Sequence, residues 1–283
     1  MDVGIGLPTT IPGASGEQVV EWARRAEARG FASLGTIDRI VYANYEPLIA
    51  LAAAAAVTER IRLTTAILIA PLRANAALFA KQAASLDRLS GGRLVLGVAV
   101  GGREDDFAAS GLDFHRRGRE FDRMLAEWRR IWDGESLGYA GAIGPRARPG
   151  LIVGGASDAA YERAAKHADG WISGGGAPDQ FAQRVEQVRA AWAAAGRDGA
   201  PRVLSLAYFA LGARAREEAD GYLRDYYGWL GDAAGMIASS AATDAETVRR
   251  YVDGFAAAGC DELIMCPCSA DAAQVDLLAD ALG

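Results

Sequence analysis

The 283-residue sequence is poor in the side chains that most enzymes use for acid–base and imine chemistry. It has two histidines, His115 and His167, and two lysines, Lys81 and Lys166, so that 28 of its 30 basic residues are arginine. Zinc sites usually draw on two or three imidazoles, which excludes a histidine-rich metallohydrolase, and no metal is expected. A Ser-His-Asp triad would have to use one of the two histidines, and no Gly-x-Ser-x-Gly elbow is present. Both lysines fall within helical runs, whereas an imine-forming lysine of an α/β barrel stands at the end of a strand. Only three cysteines occur, Cys260, Cys266 and Cys268, and they cannot all pair within one chain. No basic segment followed by an apolar stretch opens the sequence, so a cytoplasmic protein is expected. No run of ~18 strongly apolar residues appears, and Leu48–Val57 is too short and alanine-rich to span a bilayer. With 36 acidic against 30 basic residues and arginines scattered along helices, neither nucleic acid nor membrane is an expected partner.

What is present suits a soluble α/β enzyme. Apolar residues make up 51% of the chain; sixty of them are alanine, and the remainder still suffices for a core. The length fits either two domains of ~150 residues or one α/β barrel of ~250. Short β-branched or Leu-rich runs predict eight strands: 3–7, 31–36, 61–69, 94–100, 151–153, 170–173, 203–211 and 262–266. Helical periodicity predicts helices near 16–29, 47–58, 75–89, 117–132, 157–167, 178–195, 214–227, 243–258 and 271–282. Ser15…Gln18 and Thr243…Glu246 have capping-box spacing, Pro178 suits a first helical position, and Gly30, Gly196 and Gly259 follow helical runs. Eight strands alternating with helices, and no Pro/Ser/Gly-rich linker, predict a single (β/α)8 TIM barrel over residues 1–283. The long connections 101–150 and 212–259 would form extended loops on the C-terminal face, where barrel active sites lie.

Candidate site residues gather at the expected strand ends. Gly154-Gly155-Ala156-Ser157 and Ser173-Gly174-Gly175-Gly176 each follow a strand and open a helix. Glycine lets the backbone approach an anion, and helix-start N–H groups bind phosphate; the same pattern also serves as an ordinary βα turn. No correctly placed Gly-x-Gly-x-x-Gly marks a dinucleotide site. Asp38-Arg39 follows the second strand and suits polar recognition of a ring or substrate, or a solvated ion pair. His167 reads as a surface or capping residue, His115 as a loop residue, and Cys266-Pro267-Cys268 as buried or substrate-lining thiols rather than a redox pair. Tyr222, Tyr226, Tyr227 and Trp229 read as helix packing, with cover over a pocket as the alternative. With so little side-chain chemistry on hand, a cofactor is expected to supply the reactive group.

Three blocks carry a family resemblance. The first is Gly30-Phe31…Leu34…Asp38. The second runs from Leu63 to Gly101 and includes Leu86-Asp87-Arg88-Leu89-Ser90-Gly91-Gly92-Arg93-Leu94. The third is Val153-Gly154-Gly155…Ala168-Asp169-Gly170-Trp171. In this order they resemble the luciferase-like flavin monooxygenase family. The resemblance implies a (β/α)8 barrel binding coenzyme F-420, a deazaflavin, or alternatively FMN, at the C-terminal mouth. It implies that Gly154, Gly155, Ala156, Ser157, Ser173, Gly174 and Gly175 hold the cofactor phosphate. It places Ile67 and Leu68 in a bulge behind the ring, often with a non-prolyl cis peptide, and Asp38 and the Val100–Asp106 loop at the ring edge. Asp38 is the candidate catalytic residue. Two departures stand out: Asp38-Arg39 replaces a frequent Asp-His, and Asp106-Phe107 a familiar Glu-Phe. The expected function is F-420-dependent hydride transfer with a small organic substrate, with FMN-dependent monooxygenation as the alternative and a non-catalytic flavin-binding protein as a second. A homodimer is expected from the resemblance alone.

Overall fold

Each predicted apolar run becomes a strand. These are β1 (Asp2–Gly6), β2 (Ser33–Thr36), β3 (Arg62–Ile69), β4 (Leu94–Ala99), β5 (Gly150–Gly154), β6 (Gly170–Ile172), β7 (Arg202–Phe209) and β8 (Glu262–Pro267). In this computed structural model, which describes residues 1–136, 139 and 141–283, they form a closed parallel barrel in sequence order. Closure is by β1 against β8, with Val3 opposite Leu263 and Ile5 opposite Met265. The helices are α1 (Gly16–Ala28), α2 (Pro47–Ala55), α3 (Ala76–Leu89), α4 (Glu104–Ala109), α5 (Arg117–Trp132), α6 (Asp158–His167), α7 (Pro178–Ala194), α8 (Ala215–Tyr226), α9 (Asp232–Ser239), α10 (Ala245–Ala257) and α11 (Ala273–Leu282). The TIM-barrel expectation holds.

Local signals act as read in most places. Ser15 and Gln18 exchange both capping-box hydrogen bonds at the start of α1, and Pro178 occupies the first turn of α7. Gly30, Gly196 and Gly259 adopt φ values of 81°, 65° and 79° after their helices. One cap is corrected: Asp244, not Thr243, caps α10, its carboxylate accepting from Thr247 N at 2.7 Å. Two short helices, α4 and α9, lie inside the long connections where no helix was predicted.

Two apolar layers result from the alternation of side chains along each strand. Leu34, Leu63, Leu96, Val153, Trp171, Phe209 and Met265 face outward into the core beneath the helices. Val95, Ile152, Ile172, Leu204, Leu206 and Ile264 face inward and fill the barrel. At its N-terminal floor stands Glu262, fully buried. Its carboxylate accepts from Arg62 Nη2 at 3.0 Å and is also engaged by Arg202 and Ser33. A buried carboxylate with this many donors keeps its charge compensated, so the floor is a structural plug. At the other end, α8 lies over β7 and β8 and extends the inner cluster through Tyr222, Leu223 and Tyr226. Among the described residues, no helix is long and apolar enough to cross a membrane.

Candidate functional site at the barrel mouth

The two glycine turns come together at the C-terminal ends of β5 and β6. Gly154 faces the barrel interior, where a Cβ would stand 2.7 Å from Ile67 Cδ1 and 3.3 Å from Ile172 Cγ2. Gly155 and Gly175 have φ of 131° and 105°, a region that side chains strain to enter. Trp171 Nε1 donates to the Gly155 carbonyl at 2.8 Å, which fixes the first turn against β6. Ser157 precedes α6 in an extended conformation without using its hydroxyl as a cap, so the first N–H groups of that helix lack a side-chain partner. Ala156, Ser157 and Gly174 are exposed, whereas Ser173 is buried. Arg184 of α7 reaches this cradle, donating from Nη1 to Ser173 Oγ at 3.1 Å and to the Gly175 carbonyl at 3.2 Å. Two helix starts and a guanidinium are the groups here that can take a phosphate-like anion. Sequence reasoning missed Arg184, since nothing marks it among the other arginines.

Beside the cradle, β3 carries a bulge: its register against β4 shifts between Thr65 and Leu68, and the Ala66–Ile67 peptide is cis. The bulge turns Ile67, half-buried, to the inner cluster and places Leu68 in the outer core, fully buried. Of the predicted pair, only Ile67 therefore borders the mouth. Val100 is half-buried and packs on the outer core. Ile11, Ile37, Tyr42 and Tyr227, each only partly buried, join Ile67 in an apolar rim.

Asp38 is held by three donors. Its carboxylate receives Arg73 Nη1 at 2.7 Å, Arg73 Nη2 at 3.1 Å and the Ile69 N–H at 2.8 Å. Burial pushes the Asp38 carboxyl up from the ordinary range, against the opposing pull of Arg73 and the Ile69 N–H. The pair ties the loop after β2 to the end of the bulged strand. Asp106 acts similarly: fully buried, it accepts the Ile40 and Val41 N–H groups at 3.0 and 2.7 Å. Arg39, next in sequence, is 8% exposed, donates from Nη1 to the Tyr226 carbonyl at 2.8 Å and lies over the Tyr226 and Tyr42 rings.

Tyrosines of α8 and its C-terminal end cover part of the opening. Tyr222 shares a 2.7 Å hydrogen bond with Thr10, and Tyr208 of β7 another of 2.7 Å with Tyr227. Burial pushes the Tyr227 phenol up to about 12 and those of Tyr208, Tyr222 and Tyr226 well above their usual value. They stay protonated at physiological pH. Cys266, fully inside and pushed up to about 12 by burial, is a thiol rather than a thiolate, and Cys268 follows it. Trp229 is 48% exposed, with the Arg103 guanidinium 5.3 Å from its ring centroid. His115 is exposed in a turn before α5 and His167 ends α6, so neither brings an imidazole to the mouth. Two surface grooves, about 700 Å³ between α2 and α3 and about 760 Å³ between α6 and α7, lie in the outer helical layer.

Comparison with known proteins agrees with this architecture. Residues 1–261 match the family model of the luciferase-like monooxygenases. An uncharacterized protein of Mycobacterium tuberculosis is 32% identical over 199 residues, 59% of this chain and 68% of the relative. The monooxygenase RslO1 from Streptomyces bottropensis superposes with a TM-score of 0.78 at 24% identity, covering 100% of this chain and 98% of that one. An F-420-dependent secondary alcohol dehydrogenase in complex with an F-420–acetone adduct gives 0.81 at 18% identity, covering 100% and 99%. The chain belongs to the luciferase-like monooxygenase family, and with it to the oxidoreductases.

Proposed function

We propose that this member of the family binds coenzyme F-420 at the barrel mouth and exchanges hydride with a small organic substrate. The carrying observation is the Gly154–Ser157 and Ser173–Gly175 cradle, reached by Arg184 and set beside the inward-turned Ile67. The cradle has no Cβ to block a close approach at Gly154, Gly155 and Gly175, which fits a phosphate. The Ile11, Ile37, Ile67 and Tyr227 rim fits a flat ring. When bound, the coenzyme would supply the hydride that no side chain here can offer. The chain's own residues would then bind and exclude. Gly155, Ser157 and Arg184 hold the anionic end. Ile67 packs against the ring, and the tyrosine cover keeps water from the reacting face. Asp38, engaged by Arg73, keeps the β2 loop and the β3 bulge in register rather than moving a proton.

The same cradle suits the terminal phosphate of FMN, and the likeness to the monooxygenase RslO1 favours that second reading. The likeness to an F-420-dependent dehydrogenase supports the first. Titrating the protein with F-420 and with FMN, followed by absorbance and fluorescence, separates them. Micromolar binding of F-420 and weaker binding of FMN is the expected result; binding of neither overturns both readings. A homodimer belongs to the same proposal. Exposed Ile49, Leu78 and Leu89 beside the α2–α3 groove support a second copy covering it. Light scattering should give twice the 29.7 kDa chain mass, and Leu89→Glu should return it to the monomer value.

A further inference from the structure

Arg39 is a buried cation that the fold does not neutralise. It is more than nine-tenths buried, yet among the described residues no carboxylate stands within salt-bridging distance of it. Neighbouring acids face other groups: Asp38 pairs with Arg73, Asp106 accepts the Ile40 and Val41 N–H groups through Oδ1 and has Arg103 Nε 3.7 Å from Oδ2, and Asp225 accepts the Tyr42 hydroxyl. Of its own donors, Nη1 serves the Tyr226 carbonyl at 2.8 Å, while Nε is buried with no partner at all. The ring centroids of Tyr226 and Tyr42 lie 4.5 and 5.2 Å from its Cζ, which supports the charge without pairing it. A guanidinium held out of water and unpaired is costly, and a planar guanidinium is the group that pairs best with a carboxylate. Tyr42 and Tyr227, both partly buried, join the apolar rim of Ile11 and Ile37 on this side of the mouth.

We infer that Arg39 binds the carboxylate of a small planar substrate, packed among Tyr42, Tyr226 and Tyr227. The inference rests on the mouth being the reaction site, and it deepens that reading by naming the substrate class. The anion could instead belong to the edge of the cofactor ring, and the test separates the two sources. Sodium benzoate and the uncharged benzamide serve as probes in calorimetric titrations of the wild-type protein, alone and saturated with F-420. Benzoate should bind at least tenfold more tightly than benzamide. Arg39→Met should abolish that preference, Arg39→Lys should keep part of it, and F-420 affinity should stay within threefold in both. Equal binding of the two probes to the wild-type protein overturns the inference without any variant, as does a preference that survives Arg39→Met. A tenfold loss of F-420 affinity in Arg39→Met, with no benzoate preference, assigns the anion to the cofactor and also overturns it. If neither F-420 nor FMN binds but the benzoate preference holds, the proposed cofactor chemistry falls while the carboxylate site stands.

Discussion

The two ends of the barrel handle buried charge in opposite ways. At the floor, Glu262 sits between Arg62 and Arg202 with Ser33 as a further donor, and each charge meets its opposite. At the mouth, Asp38 is paired with Arg73, but Arg39 meets only a carbonyl and two ring faces. The floor is also closely packed at Gly4, where a Cβ would collide with Ser33 Oγ. At the mouth, Ala156 and Gly174 of the two glycine turns are exposed. Compensated charge and close packing serve stability, and the proposed ligand sites fall where charge and backbone are left open.

Changes at the two ends should therefore separate stability from binding. The largest effect belongs to the floor: Glu262→Ala leaves two guanidiniums without their shared partner and should cost about 3–5 kcal/mol in chemical denaturation. Cofactor affinity of the molecules that remain folded should be unchanged. At the mouth, Arg184→Met should weaken F-420 by roughly tenfold, the loss of a charge-assisted contact of about 1.5 kcal/mol, while the melting temperature moves little. Alkaline unfolding should trace to the mouth. The Tyr227 phenol, about 12 in the fold against an ordinary 10, contributes stability that is complete below pH 10 and lost as pH rises toward 12. Tyr227→Phe should remove that part of the pH dependence in denaturation curves taken between pH 9 and 12. The smallest effect concerns Cys260, Cys266 and Cys268, all buried. None should react with a thiol reagent at pH 8 until the protein is unfolded, and rapid labelling of Cys266 or Cys268 in the native protein would show that the mouth opens far more widely.

How much of this was legible in the sequence follows the range of the interactions involved. Strand order, the Ser15–Gln18 cap, the Pro178 helix start and the glycine turns are set by residues a few positions apart, and period and spacing display them. Asp244 as the cap of α10 displaced Thr243 because two adjacent residues both have capping side chains, and spacing to Glu246 favoured the wrong one. Helices α4 and α9 escaped because one has only six residues, three of them acidic, and the other contains Gly235 and an exposed Met236. The pairing of Asp38 with Arg73 spans 35 positions and that of Glu262 with Arg62 spans 200, and no local pattern announces either. Arg39 was visible as a departure from the family's Asp-His. That it lacks a carboxylate partner appears only when the surrounding strands and α8 are in place.

In the proposed reading, the glycine turns after β5 and β6 anchor a cofactor phosphate. The most direct test is the dissociation constant of F-420, measured by fluorescence for the wild-type protein and for Gly155→Val. Gly155 has φ of 131° and a would-be Cβ 2.8 Å from Ala160 Cβ, so valine must displace the turn. The account predicts micromolar binding by the wild-type protein and at least a tenfold weakening in the folded variant. Equal affinity in the two proteins would contradict it.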